Sequence, residues 1–255
     1  MSSITKANVG DWQWLEETGG ELTSQQRLSM VPSLAATFGQ FFADRFRLAI
    51  GRRPSGSYSA GDLWPTAPDS AFARRSEEVA RELQTLPVVH HAFRTWVFGH
   101  ALAKIDGMDL DAEIFHAGSM MHDVGLEHPV AGQCFTRRSA EAAREVAQTL
   151  DFDATRTREM MDSIAAHITP GLQREQTLPG FYLQTGAMAD LLGLRVWQLP
   201  RDLVARASEQ YPRHNVHKVL SECWRAEAAG VPGGRAHFAQ AFGGFGHIVR
   251  WLGTR

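Results

Sequence analysis

Every stretch of this chain that has a period has the period of an α-helix, and that restricts the fold more than any other feature. Ser33 to Ile50 sets Leu34, Phe38, Phe41, Phe42, Phe46 and Ile50 at three- and four-residue spacing, with Ser33 as N-cap behind Pro32. Ser70 to Leu86 carries Phe72, Val79, Leu83 and Leu86 on one face of a charged helix. An apolar run from Val88 to Ile105 stops at Asp106-Gly107, and Asp109 caps a helix to about Asp123, ended by Gly125. Ser139–Leu150, Asp153–Ile168 and Gly180–Leu192 follow, then amphipathic stretches over 200–211, 215–229 and 236–252. No segment alternates with period two between turn residues, so an all-α fold is expected. Residues 51–69 are rich in Gly, Pro and Ser and break the periodicity. They divide a helical N-terminal extension and linker, 1–67, from a helical domain, 68–255. The phenylalanine stripe at 38–46 is read as packing against that domain or against a second copy, which leaves a homo-oligomer open.

Against this apolar background, a few side chains are out of place. His91 has Phe98 and Leu102 seven and eleven residues on, so it faces the core. His122 and Asp123 end the apolar run from Ile114, His167 follows Met160 and Ile164, and Asp190 stands one and two turns after Leu183, Gly186 and Ala187. A lone carboxylate on such a face is costly unless something neutralises it. One cation shared by Asp123 and Asp190, with imidazoles completing its shell, would do so. Two histidines and two carboxylates leave positions open on a divalent ion, as catalysis requires, and such an ion activates water near neutral pH.

The segments His91-Ala92-Phe93-Arg94 and His122-Asp123-Val124-Gly125-Leu126, followed by Asp190, resemble the HD-domain superfamily of metal-dependent hydrolases. Ala92 stands where the first motif usually has serine. Finer features are similar to the cyanamide hydratase-like branch: Pro68-Asp69-Ser70, Ile164 to Gly171 around His167, Ala189 to Leu194, and Tyr211-Pro212-Arg213. The resemblance covers about residues 68–235. It implies an HD-domain helical bundle with metal ligation by His91, His122, Asp123 and Asp190. It also implies catalysis by Asp123 and His167, the latter as a fifth ligand or as the acid/base. The expected cofactor is one divalent transition metal, Zn2+ first, with iron or manganese as alternatives. The expected chemistry is addition of water to a small polarised substrate such as cyanamide or a related nitrile, which makes the chain a hydratase or hydrolase.

Two other activities of the same fold remain beside it: phosphate-ester hydrolysis, on a nucleotide for example, and di-iron oxygenation. Leu126 occupies a position where many HD phosphohydrolases have lysine. A di-iron site adds two histidines between the His-Asp pair and the last Asp, whereas this chain has only His128 and His167 there. His128, Arg137 and Arg138 are candidate substrate-binding residues, from the loop and helix start after Asp123. Arg94 is expected to brace a carboxylate. A formal net charge of -2 argues against a nucleic-acid partner and suits a small, weakly charged substrate. The absence of a long apolar run argues against a membrane span. Two cysteines, Cys134 and Cys223, form no framework, and the first twenty residues resemble no secretory signal. A reducing, cytoplasmic location is therefore expected.

Overall fold

The structure is a computed structural model, and it describes residues 9–52 and 58–253. Among these residues there are 13 α-helices and no strand, as the periodicity requires. In chain order they are α1 (Trp12–Thr18), α2 (Ser24–Ala49), α3 (Ala60–Leu63), α4 (Ala71–Leu83), α5 (Leu86–Ile105), α6 (Ala112–Met121), α7 (Phe135–Thr149), α8 (Ala154–Ala166), α9 (Leu178–Leu192), α10 (Arg201–Gln210), α11 (Val216–Gly230), α12 (Arg235–Gly243) and α13 (Phe245–Leu252). No helix among the described residues is long and apolar enough to cross a membrane, and both cysteines are free.

α5 and α9 form the centre of the bundle. α5 starts with Pro87 in its first turn, where a missing N–H costs nothing, and stops where Gly107 takes a left-handed φ of 71°. α9 starts at Thr177, whose side chain accepts from Gly180 N, and stops at Gly193 with φ 75°. The two helices run antiparallel at near-backbone contact. A Cβ on Gly186 would lie 2.2 Å from the Thr95 carbonyl oxygen, and one on Gly99 would lie 2.6 Å from that of Tyr182. Those contacts and the His91–Asp190 hydrogen bond make three rungs one turn apart: 91 with 190, 95 with 186, 99 with 182. One apolar cluster surrounds α5, α6 and α8, and a second joins the end of α9 to α11, α12 and α13.

The first described residues, from Val9 on, are built into this core. Val9, Trp12, Trp14, Leu15 and Met30 are buried in the main cluster, and Trp12 N donates to Asp162 Oδ1 of α8 at 2.8 Å. α1 had no counterpart in the periodicity, because seven residues are too few to display one. α2 begins at Ser24 rather than Ser33. Thr23 and Gln26 make a reciprocal capping box, and Pro32 lies inside the helix on its exposed side. The phenylalanine stripe is split: Leu34 and Phe38 turn partly inward and Phe41 is buried, whereas Phe42, Phe46 and Ile50 are 68%, 65% and 58% exposed. The linker contains the short α3, and its residues 53–57 lie outside the described residues. The stretch 236–252 is two helices, divided where Gly244 adopts φ 58°.

Candidate metal centre

One helix face and two helix ends bring four of the out-of-place side chains together. His91 projects from α5, His122 and Asp123 from the turn that ends α6, and His167 from the end of α8; all four are buried. His122 Nε2 lies 3.2 Å from Asp123 Oδ2, His91 Nε2 3.8 Å from the same oxygen, and His167 Nε2 3.6 Å from Asp123 Oδ1. Donor atoms of His91, His122 and Asp123 all lie within 4.8 Å of one another. The turn that places Asp123 depends on Gly125, where a Cβ would come 2.6 Å from the Phe135 carbonyl oxygen.

The hydrogen bonds fix which ring nitrogen carries the proton. His122 Nδ1 is 2.7 Å from the Ser119 carbonyl oxygen and His167 Nδ1 is 2.7 Å from that of Ile164. A carbonyl oxygen only accepts, so each Nδ1 donates, and in the neutral ring each lone pair is on Nε2. His91 Nδ1 likewise faces Asp190 Oδ2 at 2.7 Å. Among the described residues the Nε2 atoms of His91 and His122 are buried with no hydrogen-bond partner, although His122 Nε2 comes within 3.2 Å of Asp123 Oδ2. Imidazoles pinned at Nδ1, with Nε2 free beside a carboxylate, are the donor set and support that a transition metal uses. The residues therefore fit a divalent ion.

Electrostatics agree with this. Burial presses the His91 and His167 imidazoles toward the neutral form, against the pull of Asp190 and of Asp123. Burial also opposes charge on His122, but the adjacent Asp123 outweighs it and raises the His122 pKa. Despite its own burial, Asp123 is held far below the usual carboxylate range by His122 and His167.

The structure places Asp190 elsewhere than the sequence expectation, behind His91 and not among the donor atoms. Arg94, fully buried, grips both its oxygens, Nε to Oδ1 at 2.7 Å and Nη2 to Oδ2 at 2.8 Å. Arg213 adds a contact to Oδ1 at 2.7 Å and donates to the Asp190 carbonyl at 2.8 Å. These two cations overcome the cost of burial and hold the Asp190 carboxyl well below its ordinary range. Arg94 also donates to the Tyr211 carbonyl at 2.8 Å, so it braces a carboxylate as expected. Arg213 and the backbone of Tyr211 belong to the same support. The signal for it was the Tyr211-Pro212-Arg213 segment itself.

The candidate substrate-binding residues are not brought to the cluster. His128 is exposed, with Nε2 3.0 Å from the Leu83 carbonyl oxygen. Arg137 pairs with Glu141 at 3.0 Å, and Arg138 with buried Glu227 at 3.2 Å. The space in front of the His91–His122–Asp123 cluster, about 40 Å3, is walled instead by apolar side chains, among them Leu126, Met188, Leu220 and Trp224. Of these, the sequence singled out Leu126 only as a departure from lysine, and not Met188, Leu220 or Trp224, because an apolar residue lining a cavity has the same spacing as one filling a core. Comparison with protein-family models finds no match to this chain, and comparison with curated proteins finds none either.

Proposed function

We propose that the chain is a metal-dependent hydratase or hydrolase of the HD type, acting on a small polarised carbon such as that of a nitrile. The observation that carries this reading is the convergence of Nε2 lone pairs, each ring pinned at Nδ1, on the Asp123 carboxylate in a buried cavity. In it, His91 Nε2, His122 Nε2 and the Asp123 carboxylate hold one divalent ion, Zn2+ before iron or manganese. Such an ion supplies Lewis-acid polarisation and lowers the pKa of water. Asp190 keeps His91 in the tautomer that presents Nε2, a positioning role in place of the ligand role first expected for it.

His167 is the proton carrier. Its Nδ1–H stays on the Ile164 carbonyl, so Nε2 is free to accept a proton from the attacking water and return it to the nitrile nitrogen. Apolar walls around the cluster keep other water out of that exchange. Phosphate-ester hydrolysis fits less well, because no arginine lines the space at the cluster among the described residues, and Arg94, Arg213 and Arg138 are already committed: Arg94 and Arg213 to Asp190, Arg138 to Glu227. A second iron fits less well too, since His128 points to the Leu83 carbonyl. Elemental analysis of the purified protein should find one ion per chain, and the metal-loaded protein should hydrate nitriles or cyanamide and leave nucleotides intact. Two irons per chain, or phosphate release without hydration, would overturn the reading.

A further inference from the structure

Beside the metal centre is a larger space that hydration of a molecule as small as cyanamide does not need. It encloses about 380 Å3, against about 40 Å3 at the cluster. That volume falls within the roughly 300–1,000 Å3 of small-molecule pockets. Ile168, Met188, Trp224 and Phe245 line both spaces, so the two share a wall. Met188, unbranched and adaptable, is the part of that wall best suited to yield. On the far side α2 closes the space with Leu34, Phe38 and Phe41.

Several polar groups on the lining already have partners, whereas the buried Trp224 Nε1 has none among the described residues. The Thr37 hydroxyl donates to the Ser33 carbonyl at 3.0 Å and that of Thr185 to Phe181 at 2.8 Å. Gln184 Nε2 donates to the carbonyls of His167 and Thr169 at 2.8 and 2.9 Å, tying this wall to the proton carrier. Among the described lining residues the one charged side chain is Arg195, and both oxygens of Asp106 hold its guanidinium, at 3.0 and 2.8 Å. The space thus offers an apolar surface, with no cation left for an anionic ligand.

We propose that this space holds the body of the substrate: an uncharged molecule whose alkyl or aryl group carries the small polarised group presented to His91, His122 and Asp123. The identity of the reacting group rests on the hydratase reading above; the apolar body rests on the cavity itself.

Calorimetric titration with straight-chain alkyl nitriles of increasing length, on metal-stripped and on zinc-loaded protein, tests it. The Kd is expected to fall about fourfold per added methylene until the chain fills the space, in both forms of the protein. Thr37→Trp should end that fall at shorter chains and Phe38→Ala at longer ones, opposite shifts that misfolding cannot produce. A Kd independent of chain length, or an end point that neither variant moves, overturns the proposal. Tighter binding of the alkanoate than of the nitrile of equal length overturns its uncharged substrate. Protein that takes up no zinc but keeps the chain-length dependence supports the cavity assignment and defeats the metal reading; zinc uptake with a flat series does the reverse.

Discussion

The two edges of the His91 ring meet opposite surroundings. At Nδ1, Asp190 is held by two guanidinium groups as well as by the imidazole. At Nε2, Asp123 has only imidazoles as ionic partners among the described residues. Both carboxylates are buried, and both sit beside histidine. The difference lies in what neutralises them. A guanidinium keeps its charge at any ordinary pH, so the Asp190 side is complete as folded. Imidazoles exchange their charge near neutrality, and once neutral they turn lone pairs toward Asp123. A cation would satisfy that side in place of the proton that Asp123 favours on His122. A buried acid thus suggests a metal only when its partners are able to be neutral.

Substitutions on the two edges should separate accordingly. Asp123→Asn is expected to have the largest effect: ion affinity falls by more than the roughly 100-fold that loss of a supporting group costs, and turnover drops to background. Elemental analysis and assay on one preparation would measure both. His167→Gln should retain the ion while kcat falls about 10^2- to 10^4-fold; full activity would remove the proton carrier. On the other edge, Arg94→Met leaves Asp190 buried without its two-pronged partner, and urea unfolding should show a loss of about 3–5 kcal/mol. Asp190→Asn should weaken ion binding only about 10- to 100-fold, read from a zinc competition titration. If it instead abolished binding as Asp123→Asn does, Asp190 would be a ligand and the contrast between the edges would disappear. Smallest of all, Arg137→Ala breaks a half-exposed pair and should change stability by about 0–1 kcal/mol and activity not at all.

The helical class and the four clustered side chains were legible in the sequence because burial and helix period show together. An imidazole seven residues from a phenylalanine on an apolar face is already a core position. The support around Asp190 was not legible, since spacing tells which way a side chain points and not what meets it. Arg94 reaches Asp190 from 96 residues away, and Arg213 from a segment 23 residues on. Pro32 misled for a local reason. It reads as a helix start, but at an exposed position a helix tolerates the lost hydrogen bond when Thr23 and Gln26 secure the preceding turns. Arg137, Arg138 and His128 misled for the opposite reason: their chemistry suits substrate binding, but each is committed to a partner in the fold.

The close crossing of α5 and α9 divides the site into a part that is set and a part that is free to vary. A residue larger than glycine at 186 would force the helices apart and carry His91 away from Asp190, so the chemical end tolerates little change from that side. α2 and α13 touch the larger cavity through side chains such as Phe38 and Ile248. On the proposed reading, selection for a new substrate, in nature or in the laboratory, would have its room there: the reaction would be specified in the centre of the bundle and the choice of molecule at its margin.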